Sequence, residues 1–368
     1  MVHSSASGGT RGREGLLVGD SPLNTAPPTL IPRRRLLGAA SQGCETRPVT
    51  QSPTLSDRFS AYADAVLREG SPSWAAAARG VADDAEVLAL VERAEEARRQ
   101  PVLVLAVARW LGAPLGPWPD LRRWLLDHQE RFLDELGRRL TQTNDVRRTS
   151  PVSLALARVA GPVALLEVGA SAGLGLLPDR YGHRAGGVRW GDAASPVQLD
   201  VVVHGDLGEV RLPEVVWRAG LDLDPLDVSS AADVAWLDAL LPPGAPDRAA
   251  LLTQAVSVAR AAPPRVDRGD AVDDLARLAS EAPGDATLVV VSTGTLVYLP
   301  GRRRQEFVEA VRGLGARWIS YERRGLLHAV PVAVPDGTPD AESFAVLALD
   351  GRALAVGDAH GTRLWTTG

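Results

Sequence analysis

The sequence predicts an α/β protein in which a doubly wound, Rossmann-like sheet ends in an antiparallel hairpin and follows an all-helical module. Residues 163–168 form an apolar run with a single carboxylate, Glu167, and lead directly into a glycine-rich turn. Such a run is typical of a buried parallel strand that leads into a glycine loop and then a helix, so we expect a helix after the turn. Downstream, strand-like runs alternate with helical periodicity, the pattern of a parallel sheet with helices between its strands. Upstream, helical periodicity dominates.

Composition and periodicity divide the chain into three segments. Residues 1–52 are rich in Ser, Gly, Pro, Thr and Arg without sustained periodicity, so we predict a disordered tail there. Residues 53–160 are predicted to form the helical module. Residues 161–368 are predicted to form the α/β domain, in which residues 178–214 interrupt the alternation as an inserted loop or small hairpin over the ligand site.

The helical module is predicted from the spacing of its apolar residues. Periodicity begins at Leu55, with Ser56 or Asp57 as the expected N-terminal cap. From Asp120 to Leu140 the apolar residues fall on one stripe, which predicts a single long amphipathic helix.

The α/β domain is predicted to contain five strands that alternate with helices. The strands are expected at residues 163–168, 215–221, 265–268, 287–291 and 317–321. The helices are expected at residues 232–241, 247–261, 272–280 and 302–314. Residues 344–349 and 353–356 flank Asp350-Gly351, a dipeptide typical of a tight hairpin turn.

Composition excludes several functional classes. The net charge of −5 gives no reason to expect nucleic acid as a constitutive partner. No apolar run reaches the ~18 residues that span a bilayer, so we expect no membrane partner and a cytoplasmic location. Cys44 is the only cysteine, which excludes an intrachain disulfide and a thiolate zinc cluster, and no metal site is predicted. All 40 Lys and Arg residues are arginine, which excludes catalytic and phosphate-binding lysines.

The glycine-rich turn admits two interpretations. Gly169, Gly173 and Gly175 fit the G-x-x-x-G-x-G loop of short-chain dehydrogenases, whereas E-x-G-x-x-x-G from Glu167 resembles the first motif of class I S-adenosylmethionine-dependent methyltransferases. Those dehydrogenases begin with this strand and require a lysine, whereas here the strand lies mid-chain and lysine is absent. Glu167 would also repel a pyrophosphate, but it favours the ammonium and sulfonium groups of S-adenosylmethionine.

Two later strand ends support the methyltransferase interpretation. Asp222 follows the second strand, where the resemblance implies an acid that accepts hydrogen bonds from the ribose hydroxyls. Asp270 and Ala271 follow the third strand, where the resemblance implies contact with the adenine amino group. The terminal hairpin also resembles the methyltransferase variant of the doubly wound sheet. The residues predicted to bind S-adenosylmethionine are Glu167, Gly169, Ser171, Gly173, Asp222, Asp270 and Ala271.

The spacing of the first two acidic motifs departs from the usual pattern. Asp222 follows Gly169 by 53 residues. The second acid of such folds lies about 20 residues after the glycines. The insertion at 178–214 accounts for the excess.

Five short motifs together resemble an uncharacterised bacterial family, common in actinobacteria and catalogued as domain-of-unknown-function family two-three-three-two. They are TQTND at 141–145, LLEVGASAGL at 165–174, GLDLDPLDV at 220–228, RGD at 268–270 and VYLP at 297–300. The resemblance covers about residues 53–366. It departs at Gly175, where the family usually has Asn, and near Ser292-Thr293, where the family often has His-Ser. The resemblance implies no activity.

Methyl transfer requires mainly the alignment of a nucleophile with the methyl group, sometimes with a base. Residues that follow the fourth strand usually face the substrate in this fold, so the catalytic candidates are Ser292, Thr293 and Tyr298. The candidate substrate contacts are Gln142, Asn144, Asp145 and Tyr181.

Three functional hypotheses follow from these patterns. The leading one is a methyltransferase that acts on a small molecule, with S-adenosylmethionine as cofactor and the helical module as a lid. The alternative is a non-catalytic ligand-binding or assembly protein that retains a nucleotide-binding fold. An NAD(P)-dependent oxidoreductase is disfavoured by Glu167 and by the missing lysine. The sequence identifies neither the methyl acceptor nor the oligomeric state.

Overall fold

The computed structural model describes residues 53–244, 246–328 and 330–367. The predicted tail at 1–52 lies outside the described residues. Within the described part of the chain, no helix is long and apolar enough to cross a membrane.

Seven α-helices precede the large sheet in the described residues. They are α1 (Leu55–Arg68), α2 (Pro72–Asp83), α3 (Ala85–Glu92), α4 (Pro101–Trp110), α5 (Trp118–Asp127), α6 (Gln129–Arg138) and α7 (Thr149–Leu156). The expected start at Leu55 is confirmed, but the cap is Thr54. Thr54 Oγ1 accepts from the backbone N–H of Asp57, and the Asp57 carboxylate accepts from that of Thr54, which is a capping box.

The single long helix expected from Asp120 to Leu140 is wrong, because the chain breaks into α5 and α6 at His128. His128 has φ −120° and ψ 22°, outside the helical region, and its ring stacks on Trp124 with the ring centroids 4.7 Å apart. The apolar stripe continues in register across the break, so periodicity carries no sign of it. Its buried members are Leu121, Leu125, Phe132 and Leu136.

Twelve strands and four further α-helices are described. The strands are β1 (Val163–Val168), β2 (Gly182–Ala185), β3 (Val188–Gly191), β4 (Gln198–Asp200), β5 (Val202–His204), β6 (Val215–Asp222), β7 (Arg265–Arg268), β8 (Thr287–Thr293), β9 (Arg317–Arg323), β10 (Ala345–Leu349), β11 (Arg352–Gly357) and β12 (Arg363–Thr366). The helices are α8 (Ala231–Ala239), α9 (Pro246–Ala261), α10 (Leu275–Ala279) and α11 (Gly301–Gly313).

Nine of these strands form one mostly parallel sheet in the order β5-β12-β11-β10-β9-β8-β1-β6-β7. The α/β class and the five predicted strands are therefore confirmed. The neighbours β7-β6-β1-β8-β9 are all parallel, and β1 lies in their middle. The chain order along this part is 3-2-1-4-5, so connections leave β1 in both directions, as in doubly wound sheets.

Helices cover both faces of β1. Leu165 points to the face covered by α7, and Leu166 points to the face covered by α10 and α11. Side chains alternate along a strand, so Glu167 lies on the same face as Leu165 and α7. This alternation directs a carboxylate, instead of another aliphatic side chain, toward the N-terminal end of α7.

The glycine-rich turn after β1 leads into a single 3₁₀ turn, Leu174–Leu176, and the helix expected there is absent from the described residues. Gly173 adopts φ 74° and Gly175 lies against the Glu167 side chain, while Pro178 follows closely. Gly173, Gly175 and Pro178 disfavour a helix, which explains why only a 3₁₀ turn forms here.

The insertion at 178–214 forms two structures. Strands β2, β3 and β4 form a separate sheet in the order β3-β2-β4, and β5 joins the edge of the large sheet beside β12. The terminal hairpin of β10 and β11 is confirmed. Its turn residues Asp350 and Gly351 have φ values of 54° and 81°, as the tight turn of an Asp-Gly hairpin requires.

Helix α8 packs into the core of α1 to α6. Trp236 of α8 is fully buried against Trp110, with ring centroids 5.9 Å apart, and Arg139 lies over both rings. Arg109 forms an ion pair of 2.7 Å with Asp238 beside them. The helical segment is therefore attached to the sheet region through a shared apolar core, and the division at residue 160 stays a prediction.

Candidate functional site

A cavity of about 820 Å³ lies at the carboxyl ends of β1, β6, β7 and β8. In open α/β sheets, ligands bind at this edge, and a volume of this size suits a cofactor-sized molecule. The helical segment closes the opposite side through residues 95–98 and Arg58, and residues 140–145 run between the two parts.

Most of the predicted site residues line this cavity. Those that do are Gln142, Asn144, Asp145, Glu167, Gly169, Ser171, Asp222, Asp270, Ala271, Thr293 and Tyr298. Parallel strands present their carboxyl ends at one edge, which explains why residues far apart in sequence meet here.

Three predicted residues lie elsewhere. Tyr181 is fully buried and its hydroxyl donates to the Leu174 carbonyl at 2.9 Å. Ser292 is also fully buried and its hydroxyl accepts from the Trp318 indole at 3.3 Å. Gly173 packs against Pro264, which a Cβ would approach to 2.6 Å. These placements correct the substrate role of Tyr181, the catalytic candidacy of Ser292 and the direct cofactor contact of Gly173.

The insertion does not cover the site, contrary to expectation. None of the residues 178–214 is among those that line the cavity. His183 of the insertion is instead buried, with Nδ1 3.0 Å from Ser150 Oγ and Nε2 2.8 Å from the Pro178 carbonyl. Burial lowers the pKa of His183 to about 4, so this histidine is neutral at pH 7.

Gly169 allows the loop after β1 to pass close to the loop after β8. Its φ is 70°, and a Cβ there would lie 2.3 Å from the Thr295 hydroxyl oxygen. The Thr295 hydroxyl donates to the Val168 carbonyl at 3.2 Å. The neighbouring Ser171 also has a positive φ, 54°, which is unusual for a residue other than glycine. A backbone held in this conformation keeps the cavity floor open to a ligand.

Asp222 connects the ends of β1 and β6. One carboxylate oxygen accepts from the backbone N–H of Ser171 at 2.8 Å, and the other accepts from that of Asp224 at 2.9 Å. The Gln142 amide lies 3.4 Å from the second oxygen. Because a carboxylate has about four acceptor sites, these contacts leave room for about one further hydrogen bond. The ribose role of Asp222 stays a prediction.

Gln142 and Asn144 hold the strand-end loops in place. The Gln142 amide donates to the Asp224 carbonyl at 2.6 Å. The Asn144 side chain donates to the Ala170 carbonyl at 3.2 Å and accepts from the backbone N–H of Leu174 at 2.9 Å. Both side chains therefore satisfy backbone groups of the cavity wall, as capping side chains do.

Asp145 belongs to a buried ion-pair network. Its carboxylate lies 2.6 Å from Arg147, 3.5 Å from Arg248 and 2.9 Å from His360 Nδ1. Burial alone would raise the pKa of Asp145, but Arg147 and His360 lower it well below its usual value. Asp145 is thus a neutralised anion at the cavity wall.

Among the buried carboxyl groups of the cavity, Glu167 has the fewest partners. It is only 3% exposed, Oε2 has no hydrogen-bond partner among the described residues, and Thr293 Oγ1 lies 3.5 Å from Oε1. Burial raises the pKa of Glu167 to about 8, although the positive charge of Arg148 and the Thr293 contact lower it. A buried titratable group with such a shift in a cleft is typical of a functional site.

The protonated state of Glu167 changes one inference from the sequence. At neutral pH the carboxyl is largely neutral, so its charge does not repel a pyrophosphate. The observation that still disfavours a dinucleotide is the 3₁₀ turn at Leu174–Leu176, because pyrophosphate binding uses the N-terminus of a full helix.

Asp270 caps the chain after β7. Its Oδ1 accepts from the backbone N–H groups of Val272 and Asp273 at 2.8 and 3.1 Å, and from Arg303 at 2.6 Å. Burial tends to raise the pKa of Asp270, but these contacts lower it below its usual value. All three contacts use one oxygen, so the other keeps its acceptor capacity toward the cavity.

Thr293 and Tyr298 are the catalytic candidates that remain at the cavity. Tyr298 is 48% exposed. An aromatic face that reaches water offers a stacking surface for a planar ligand.

Two residues of this region were missed by sequence reasoning. Glu322 of β9 is buried, and its Oε1 accepts from the backbone N–H groups of Thr295 and Leu296 at 3.2 Å each. Burial raises the pKa of Glu322 to about 7 despite these hydrogen bonds. The available signal was a carboxylate in an apolar strand, the same feature that identifies Glu167.

Arg148 is the second missed residue. Its Nη1 donates to the Thr293 carbonyl at 3.2 Å and lies over Gly294, where a Cβ would come within 3.1 Å of it. Arg148 lies three residues after the polar segment 141–145. Its closeness to that segment could be seen in the sequence, but the direction of its side chain could not.

The fold and the site together define a class of protein. It is a mixed α/β protein with one large cavity at the carboxyl ends of its central parallel strands, lined by acidic residues, polar residues and arginines. Among the residues that the structure describes, no group of three or more His, Cys, Asp or Glu is placed to hold a metal ion.

The chain matches the family described as "Uncharacterized protein conserved in bacteria (DUF2332)" over residues 56–365, and it belongs to that family. The family resemblance seen in the five sequence motifs is thereby confirmed. Comparison with curated proteins and with solved structures gives no match.

Proposed function

We propose that this protein is an S-adenosylmethionine-dependent methyltransferase that acts on a small-molecule acceptor. The observation that carries the proposal is the meeting of Glu167, Asp222 and Asp270 in one cavity. These acids lie at the carboxyl ends of β1, β6 and β7, three adjacent parallel strands, in the order of the methyltransferase motifs.

The cavity residues fit the groups of S-adenosylmethionine. Glu167 Oε2 is a buried oxygen without a hydrogen-bond partner among the described residues, so a nearby ammonium group could donate to it. The positive charge of that group would lower the pKa of Glu167 and favour the carboxylate. Asp222 retains about one acceptor site for a ribose hydroxyl. The free oxygen of Asp270, next to Ala271, can accept from the adenine amino group.

When bound, S-adenosylmethionine supplies an electrophilic methyl group: a lone pair of the acceptor bonds to the methyl carbon while the electrons of the broken C–S bond stay on sulfur. The residues of this chain would then position the acceptor and exclude water. Thr293 and Tyr298 line the cavity after β8, where an acceptor would lie.

Ligand binding without catalysis is the second candidate function. It is favoured by the internal contacts of Gln142, Asn144 and Asp145, and by the burial of Ser292, which leave few free groups for acid or base chemistry. Turnover assays discriminate the two functions, because only a methyltransferase converts S-adenosylmethionine to S-adenosylhomocysteine.

Calorimetry with S-adenosylmethionine, S-adenosylhomocysteine and NADP tests the proposal. We expect both S-adenosyl ligands to bind and NADP not to bind. Absence of S-adenosyl binding would overturn the proposal.

Asp222→Asn provides a residue-level test of the same proposal. It keeps the side-chain shape but removes the charge, so S-adenosylhomocysteine binding should weaken by ~1–3 kcal/mol. Asp224→Asn is the matched control, because the Asp224 carboxylate is 43% exposed and pairs with Arg268 outside the cavity. Equal affinities of the two variants would contradict the ribose role of Asp222.

A further inference from the structure

Three arginines line the cavity: Arg58, Arg98 and Arg148. In the described part of the chain, their guanidinium groups form no ion pair. Arg58 donates to the Arg99 carbonyl at 3.3 Å, Arg98 to the Arg139 carbonyl at 2.7 Å, and Arg148 to the Thr293 carbonyl. Carbonyl oxygens accept these hydrogen bonds without neutralising the positive charge.

Each of the three side chains also leaves a buried donor unsatisfied. The Nε atoms of Arg58, Arg98 and Arg148 are buried and have no hydrogen-bond partner among the described residues. A buried N–H without a partner costs free energy, and the cost is larger when the group is charged. The carbonyl contacts and the unpartnered Nε atoms together show that the described residues neutralise none of the three positive charges.

The acidic residues of the cavity do not compensate these arginines. Asp145 pairs with Arg147 and Arg248, and Asp270 pairs with Arg303. Asp222 is held by backbone N–H groups, and Glu167 is largely protonated at neutral pH.

Glu95 and Glu96 also line the cavity, but both are exposed, and neither forms an ion pair with the three arginines. The three guanidinium groups therefore carry positive charge at the cavity wall that no ion pair among the described residues neutralises. A guanidinium group attracts an anion and repels the ammonium and sulfonium groups of S-adenosylmethionine, so these arginines point to a second ligand.

We propose that this cavity binds a small organic anion, carrying a carboxylate or a phosphate, through Arg148, Arg98 and Arg58. Arginine presents paired N–H donors that match the two oxygens of either group. Arg148 lies over Gly294 beside Thr293, at the end of β8, where the proposed function places the methyl acceptor. The acceptor assignment rests on the proposed function; the anion site itself does not.

Calorimetry on the full chain tests the proposal with three probes: benzoate, inorganic phosphate and benzamide, the neutral counterpart of benzoate. Each is titrated with and without saturating S-adenosylhomocysteine. We expect the two anions to bind and benzamide not to bind, and the anion affinities to fall as ionic strength rises. Benzamide binding as tightly as benzoate would overturn the inference.

Arginine variants localise the site. Arg148→Gln and Arg98→Gln should each weaken anion binding about tenfold or more, since each removes charged hydrogen bonds. Arg131→Gln is the matched control, because Arg131 is exposed on α6 and lies outside the cavity lining. Thermal unfolding of each variant establishes that it is folded. Anion affinities of both cavity variants equal to that of Arg131→Gln would overturn the inference.

The two proposals fail separately. If S-adenosylhomocysteine binds but neither anion does, the anion site is overturned and the methyltransferase proposal stands. If the anions bind in an Arg148-dependent manner but S-adenosylhomocysteine does not, the anion site is supported and the methyltransferase proposal is overturned.

Discussion

Glu167 illustrates how one side chain combines stability and function. Its carboxyl lies against Gly175, where a Cβ would come within 2.5 Å of Oε1, so glycine at 175 makes room for it. Burial raises its pKa to about 8. An unfolded glutamate ionises near pH 4.3, so between these values the folded state binds a proton that the unfolded state has released. Stability therefore falls as pH rises from about 4 to about 8.

Replacing Glu167 should remove this contribution. Wild-type stability should fall by about 3 kcal/mol between pH 5 and pH 8 through Glu167, whereas glutamine does not ionise. The unfolding free energy of Glu167→Gln minus that of wild type should therefore rise by about 3 kcal/mol over this range. Urea denaturation at both pH values measures the difference. Thr293→Val is the control, because it removes the 3.5 Å hydroxyl contact without removing the carboxyl. A constant difference between Glu167→Gln and wild type would contradict the assigned protonation state.

The polar segment 141–145 lies between α6 and the strand ends and holds the strand-end loops by side-chain hydrogen bonds. Asn144 both donates to Ala170 and accepts from Leu174, so one side chain spans the glycine-rich turn. Gln142 holds the chain after β6, because its amide donates to the Asp224 carbonyl. The glycines make the turn flexible in the unfolded chain, and these amides restrict it in the folded one.

Asn144→Ala should therefore loosen the turn. We expect a loss of ~1–3 kcal/mol of unfolding free energy, since a partly buried carbonyl and N–H lose their partner. S-adenosylhomocysteine affinity should fall with it if the turn contacts that ligand. Denaturation and calorimetry measure the two effects. Thr143→Ala is the control, because Thr143 Oγ1 makes only a 3.5 Å contact with Arg148. Equal stabilities of the two variants would contradict a stabilising role for the Asn144 hydrogen bonds.

An ion-pair network joins parts of the whole molecule that are distant in sequence. Glu69 at the end of α1 lies 2.8 Å from Arg248 of α9 and 2.9 Å from His360, which follows β11. Asp145 completes the network from the cavity wall. Both ring nitrogens of His360 lie 2.9 Å from carboxylate oxygens, Nε2 from Glu69 and Nδ1 from Asp145.

Acid should weaken this network. The folded-state pKa of Asp145 lies well below its usual value, so its stabilisation is present above about pH 3.9 and is lost as pH falls below it. Asp145→Asn should cost ~3–5 kcal/mol at pH 7, because it leaves buried cations without a partner. The cost should shrink at pH 3.

Denaturation at both pH values checks this expectation. Asp134→Asn is the control, since Asp134 is 59% exposed and pairs with Arg138 on one helix; its effect should stay within about 0.5 kcal/mol. A cost for Asp145→Asn that does not change with pH would contradict the role of the charge.

Local pattern was sufficient for most of the elements. The strand β1 has the predicted bounds because its apolar run ends at a glycine-rich turn, and the Asp350-Gly351 turn lies where expected because this dipeptide favours a tight hairpin turn. The bounds of β7 were also predicted, although its sequence is mostly charged. The break at His128 and the pairing of β5 with β12 were missed. An unbroken apolar stripe hides the first, and the second joins strands about 160 residues apart, beyond the reach of periodicity.

Only part of the candidate site could be predicted from the sequence. The order of acidic residues at successive strand ends could be predicted, because parallel strands bring those ends to one edge. Which side chains face the cavity was not: Thr293 lines it, whereas the adjacent Ser292 is buried under Trp318, since side chains alternate across a strand. The uncompensated charges of Arg58, Arg98 and Arg148 were equally invisible, because charge pairing depends on distances in space between residues that the sequence keeps far apart.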